Sequence, residues 1–200
     1  MINHQYQCIF IEIPKTASTS IREIIGHPIK PHLDIGEIRD SLIHEARFSE
    51  SVNPQQWADD IVSAYFKFTV VRNPWDRVVS LYLRREGIQP SGHISFDEFV
   101  ERIEYSSDTC IHPSRHRYQL DWLRDKDGEI NIDYIARFEN IEQHWQEIAS
   151  RLGIEQALPH INRNETRVRH YTEFYNNNTR QKITDQFAID IEYFSYSFAG

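Results

Sequence analysis

Residues 9–20 read I-F-I-E-I-P-K-T-A-S-T-S, and no other stretch restricts the fold as much. An apolar run that stops at a lysine and a burst of hydroxyls is a buried strand turning into a helix, a junction suited to holding an anion. The N-terminus of a helix presents backbone N–H groups without intrahelical partners and a partial positive charge. Thr16, Ser18, Thr19 and Ser20 offer side-chain donors at this junction, and Lys15 a full charge. Residues 21–25 give a short apolar-faced helix ended by Gly26 and Pro28. The Walker nucleotide loop places two glycines ahead of its Lys and Ser/Thr, so that a wide loop wraps a di- or triphosphate. Here Lys15 comes first and no glycine lies between Cys8 and Ile25. The expected loop is tighter and suits one phosphate-like group. Over these residues alone, an ordinary hydroxyl-capped helix after a strand would look the same.

A second motif narrows the choice. Residues 67–85 read K-F-T-V-V-R-N-P-W-D-R-V-V-S-L-Y-L-R-R. The β-branched and aromatic run 68–71 suits a strand covered on both faces. Asn73 is a good N-cap, Pro74 occupies the favoured first helical position, and Asp76 falls in the first turn. Val78, Val79, Leu81 and Tyr82 then form an apolar stripe at helical spacing. Arg72 at the strand's carboxyl end and Ser80 two turns into the helix can converge on one phosphate. Equally, Arg72 can be an ion-pair partner of Asp76, and Ser80 a packing residue.

Taken together the two motifs resemble those of the sulfotransferases that use 3′-phosphoadenosine 5′-phosphosulfate (PAPS), the carbohydrate sulfotransferases above all. In that family a P-K-T-A-S-T-S-like loop after the first strand holds the 5′-phosphosulfate, which here is Pro14, Lys15, Thr16, Ala17, Ser18, Thr19 and Ser20. An R-N-P-x-x-R-x-x-S-like stretch holds the 3′-phosphate, here Arg72, Asn73, Pro74, Arg77 and Ser80. The first motif is similar to that of heparan sulfate 2-O-sulfotransferases, the second to those of many Golgi and bacterial relatives. Later segments follow the family's order: H-R-Y-Q-L-D-W-L at 116–123, R-F-E-N at 137–140 and H-Y-T-E-F-Y at 170–175. The resemblance implies a single domain over residues 1–200, with a three-layer, P-loop-like α/β fold and a central parallel sheet flanked by helices. It further implies PAPS as co-substrate, no metal, and a hydroxyl-bearing acceptor, a saccharide or glycolipid.

Composition agrees. With 200 residues, 40% of them apolar and 12% aromatic, the chain can bury a sizeable core and is not of the disordered class. A formal charge of −8 argues against general nucleic-acid binding and against a broad basic trough for heparin-like polymers. A local basic cluster can still attract an anionic cofactor, because distant exposed charges are screened. Cys8 falls in a buried strand and Cys110 in a polar stretch, which gives no disulfide framework and fits a reducing cytoplasm. No secretory or membrane-spanning segment is visible, unlike the anchored Golgi relatives; the apolar run 8–13 is interrupted by Glu12 and far shorter than the roughly 20 residues a bilayer requires.

Elsewhere helices are expected at 37–42, 95–105, 141–152 (closed by Gly153) and 179–191, and a strand at 132–138. Strands alternating with helices favour a parallel sheet, whose ligands sit beyond the strands' carboxyl ends, where both motifs fall. For the chemistry, Lys15 is the candidate to stabilise charge on the leaving 5′-phosphate, and His32 the candidate general base. His32 lies in P-H-L-D-I-G, which departs from the G-H-x-x-A-like element of bacterial relatives, and Glu37 or His44 are alternative bases. His112 and His116 have i, i+4 spacing, but Pro113 intervenes and no third ligand is apparent, so they do not make a metal site. The resemblance would place His116 and Gln119 beside the acceptor. Arg163, Arg167, Arg169 and His170 form the densest basic cluster, either a loop folding over the cofactor (Arg167 and Arg169 above all) or plain surface charge. Trp75, Tyr65 and Phe66 read as core or cleft wall rather than adenine stackers. Two rival classes share the topology, a small P-loop kinase and a catalytically idle nucleotide-binding protein. The first should show G-x-x-x-x-G-K-[ST] and an acidic strand end for magnesium, and neither is present.

Overall fold

The computed structural model of the protein describes residues 1–28, 32–48, 53–88, 94–103, 118–159 and 169–199, the side chains of 84–88 apart. The fold is mixed α/β, with a four-stranded sheet flanked by helices. The strands are β1 (Ile2–Asn3), β2 (Cys8–Ile11), β3 (Phe66–Val71) and β4 (Tyr134–Arg137), paired in that order. The helices are α1 (Ser18–Ile25), α2 (Ile35–Ala46), α3 (Pro54–Ala64), α4 (Pro74–Ile88), α5 (Phe96–Arg102), α6 (Ile141–Leu152), α7 (Asn177–Gln186) and α8 (Ala188–Tyr193). The chain divides into two compact units, Met1–Val71 with Asp121–Asn162, and Arg72–Leu120 with Arg163–Gly200.

The first unit holds the whole sheet. β2, β3 and β4 run parallel, with Ile11 opposite Thr69 and Val71 opposite Arg137. These three strands agree with the expected central parallel sheet, and at one edge a further strand, β1, pairs antiparallel with β2 through Ile2–Ile9 and Asn3–Cys8. The connection explains it: the few residues of a tight turn, with Gln7 at φ 48°, cannot make the dozen-residue crossover a parallel pair requires. On one face Phe10 and Phe68 stack at 4.9 Å, and Cys8, Phe10, Phe68, Val70 and Ala136 pack with Ile21 and Ile25 of α1 and Trp145, Ile148 and Ala149 of α6. The alternate residues Ile9, Ile11, Thr69 and Val71 are also fully buried, as in a sheet covered on both sides. Each buried side chain of this size contributes on the order of 1.5–3 kcal/mol of transfer free energy.

Local signals set the element ends. Asn53 accepts from Gln55 N and Gln56 N and Pro54 opens α3, a cap and an N1 proline that announce this helix, which the sequence reading passed over. Asp34 and Glu37 form a capping box at the start of α2, carrying that helix beyond the expected 37–42 in both directions. Gly153, at φ 68°, closes α6 as expected.

The elements described in the second unit are helices. Asn73 caps α4, its Oδ1 accepting from Trp75 N at 3.1 Å. Tyr82, Phe96, Phe174 and Tyr175 form an aromatic cluster, with Phe96 edge-on to Tyr175 at 4.8 Å. The helix expected at 179–191 is two helices, broken at Phe187 (φ −115°, ψ 25°). Phe187 is buried, and the break lets the chain restart so that Asp190 is wholly interior with both carboxylate oxygens bonded. A tertiary demand overrides the helical pattern there.

Candidate functional site

In the first unit, β2 ends at Ile11 and the chain passes through residues 12–17 into α1. Lys15 (φ 71°) and Ala17 (φ 69°, ψ 16°) are left-handed, and Thr16 between them is not. Alternating hands along successive residues turn their amides toward one side, a concavity that binds anions. Each left-handed non-glycine residue costs about 1–2 kcal/mol, so the surroundings must hold the loop in place. Two hydroxyls do so: Thr16 Oγ1 donates to Ile13 O at 2.8 Å and Ser18 Oγ to the same oxygen at 3.2 Å. Both protons therefore serve the loop's own shape. Pro14 is buried, as are Thr16, Ser18 and Ser20, whereas Lys15, Ala17 and Thr19 are half-buried. The cap position of α1 is Ala17, whose methyl accepts nothing, and no acidic residue stands in the first turn. No side-chain cap and no acidic residue therefore offsets the positive end of the helix dipole at this start.

Glu12, between strand and loop, is completely buried. Its Oε2 accepts from Arg22 Nε at 2.8 Å and is also bonded to Arg22 Nη2, tying α1 to the end of β2. Its backbone carbonyl accepts from His32 Nδ1 at 2.9 Å, since a carbonyl oxygen has no proton to give. In the neutral ring the lone pair then lies on Nε2. His32 is half-buried, held at φ 58°, and meets Trp122 edge-on with ring centres 6.2 Å apart. Of the alternative bases, Glu37 is engaged with Asp34 N in the capping box, and His44 is exposed beside Phe48, more than two turns along α2. Lys15 and His32 thus share one unit.

The second unit holds Arg72, Arg77 and Ser80. Arg72 is buried, and both Nε (2.8 Å) and Nη2 (2.7 Å) meet Asp76 Oδ2. The arginine is an ion-pair partner of Asp76, as one of the two sequence readings had it. Ser80 is half-buried on α4, and Arg77 is almost wholly buried. Burial pushes the carboxyl of Asp190 above its ordinary value, against the backbone N–H groups of Gln119 and Leu120 and the charge of Arg77. Gln119 is completely buried, with its amide spent on Arg72: Oε1 accepts from Arg72 N at 2.9 Å and Nε2 donates to Arg72 O at 2.8 Å. Its expected place beside an acceptor gives way to this role. Asn73 further donates to Ser197 O at 2.9 Å and Tyr171 Oη at 3.2 Å.

Arg169 is exposed with its guanidinium 4.5 Å over the Phe174 ring. Arg163, Arg167, His112, His116 and Cys110 lie outside the described residues. Trp75 is core, edge-on to Phe198, and Tyr65 and Phe66 belong to the first unit, with Phe66 stacked on Phe68. Among the described residues no group of three His, Cys, Asp or Glu could hold a metal, and no helix is long and apolar enough to cross a membrane. The sequence reading missed Glu12, Arg22 and Asp190. Only Glu12 carried a signal, as a lone carboxylate inside an apolar run.

The profile of the sulfotransferase family matches residues 1–197. An uncharacterized protein of Archaeoglobus fulgidus is 29% identical over 98 residues, which make up 49% of this chain and 76% of that one. No solved structure matches the chain.

Proposed function

The chain belongs to the sulfotransferase family, whose members transfer sulfuryl groups, and from that premise we propose that it carries the group from PAPS to a hydroxyl of a carbohydrate or glycolipid acceptor. We read residues 1–200 as one cytoplasmic sulfotransferase domain of the three-layer, P-loop-like kind. The observation that carries the proposal is the left-handed pair Lys15 and Ala17 opening an uncapped, acid-free α1. Such a junction fits a single phosphosulfate better than a wide glycine loop would.

Bound PAPS would supply an activated sulfuryl group on a good leaving phosphate. Lys15 places a positive charge where the bridging oxygen gains negative charge, and the amides of 15–20 hold the neighbouring oxygens without reorganising. Thr16 and Ser18 act one step back, closing the loop on Ile13 O. Thr19 and Ser20 stand in the first turn of α1 as further donors. His32 takes the acceptor hydroxyl's proton on Nε2 while Nδ1–H stays on Glu12 O, which fixes the tautomer and aims the ring. Arg72 and Ser80 bind the 3′-phosphate, and buried Arg77 backs them. Arg167 and Arg169 contribute positive charge to nucleotide binding.

Transfer of sulfur-35 from labelled PAPS across a panel of saccharide and glycolipid acceptors tests this directly. Label should reach a hydroxyl of at least one acceptor. Stabilisation by ATP with magnesium but not by adenosine 3′,5′-bisphosphate would favour a kinase and end the proposal. Tight binding of the bisphosphate without transfer to any acceptor would favour an idle binder.

A further inference from the structure

Arg72 is the first residue past β3, where the strand's backbone partners have run out at the Val71–Arg137 pair. A backbone N–H and C=O left there unmet in the interior would cost on the order of 1–3 kcal/mol each. Gln119 meets both, 2.9 Å from N and 2.8 Å from O. The orientation of its amide follows, since the N–H needs an acceptor and the carbonyl a donor. Gln119 is itself held: its own N–H donates to Asp190 Oδ2 at 2.8 Å, and Leu120 N donates to Asp190 Oδ1 at 3.0 Å. Gln119 and Asp190 are both completely buried. The second unit therefore spends two interior polar side chains on fixing the backbone of one arginine, while Asp76 fixes that arginine's guanidinium.

We infer that Gln119, oriented by Asp190, is a positioning residue for nucleotide discrimination: it presets Arg72 for the 3′-phosphate. This rests on the reading of Arg72 as the ligand of that phosphate. A grip set before binding loses little freedom when the ligand arrives, and that saving appears as affinity for the one group it contacts. A residue that merely supports the fold would weaken every nucleotide alike.

The affinities of adenosine 3′,5′-bisphosphate and adenosine 5′-phosphate, measured by calorimetry on wild type, Arg72→Ala, Gln119→Met and Asp190→Asn, test the inference. Methionine keeps the shape of Gln119 and removes both bonds. The bisphosphate should bind Gln119→Met roughly tenfold more weakly, the equivalent of about 1.4 kcal/mol. Affinity for the 5′-phosphate should stay within twofold, so that the ratio collapses toward that of Arg72→Ala. Asp190→Asn should move the ratio in the same direction by less. If Gln119→Met does not fold, Gln119→Glu, which sets a carboxylate against Arg72 O, is read by the same ratio. A ratio lost in Arg72→Ala but intact in the folded Gln119 variant overturns the positioning role alone. No preference for the bisphosphate in wild type overturns the reading of Arg72 itself, and the positioning role with it.

Discussion

Removing Arg22 should be among the most damaging single changes that leave the anion loop's own residues untouched. Glu12 is fully buried at the end of β2, and Arg22 supplies the two hydrogen bonds to its Oε2. The other oxygen, Oε1, has no hydrogen-bond partner among the described residues. Arg22→Ala therefore leaves a buried carboxylate without compensation, a change that typically costs about 3–5 kcal/mol. The Arg22 side chain is 19% exposed, so some water can reach the vacated space, and the lower end, about 3 kcal/mol, is expected. For a chain of this size that lowers Tm by roughly 6–12 °C. Urea denaturation at pH 7 with tryptophan fluorescence measures the first figure and calorimetry the second. The pair Glu12→Leu with Arg22→Met should recover most of the loss, because an apolar pair of similar volume removes the buried charge and its partner together. A loss under about 1 kcal/mol, or a double variant no better than the single one, would refute the reasoning that Glu12 is held by Arg22.

Lys15→Ala should lower kcat by about 100- to 1,000-fold in the sulfur-35 assay, because the charge is needed where the leaving oxygen develops its own. His32→Ala should cost on the order of 100-fold in rate while leaving the bisphosphate Kd within twofold; an unchanged rate removes His32 from the mechanism. Thr16→Val deletes the bond to Ile13 O and should destabilise the fold by about 1 kcal/mol, read as a shift of the urea midpoint. Burial pushes the Cys8 thiol up to about 12 from 9.0. At pH 8 its alkylation, followed by peptide mass, should be far slower in the native than in the unfolded chain. Because the unfolded thiol releases its proton first, stability should fall as pH rises from about 9 toward 12, and denaturation at pH 8 and pH 10.5 shows the sign.

Where a residue's role is set by its neighbours in sequence, the chain could be read directly. The apolar runs of β2 and β3, the Asn73–Pro74 start of α4 and the Gly153 end of α6 all depend on patterns a few residues long. The strand-to-helix junction after β2 was legible for the same reason, although α1 begins at Ser18 rather than at 21. Its inner workings were not, because a left-handed Ala17 and two hydroxyls shared by Ile13 O leave no mark in composition. Long-range partners were the least visible. Gln119 reaches Arg72 across 47 positions and Asp190 reaches Gln119 across 71, and nothing local distinguishes that glutamine or that aspartate from a solvated one. The break at Phe187 follows from that demand, and for that reason the helical pattern of 179–191 misled.

Sulfuryl transfer from PAPS requires the chain to recognise both phosphates of one adenosine, so the most direct measurement is calorimetric titration with adenosine 3′,5′-bisphosphate. Wild type should bind it, and Lys15→Ala and Arg72→Ala should each weaken that binding. Adenosine 5′-phosphate should be sensitive to Lys15→Ala and indifferent to Arg72→Ala. A bisphosphate bound no more tightly than the 5′-phosphate, or bound equally well after either substitution, would contradict transfer from PAPS.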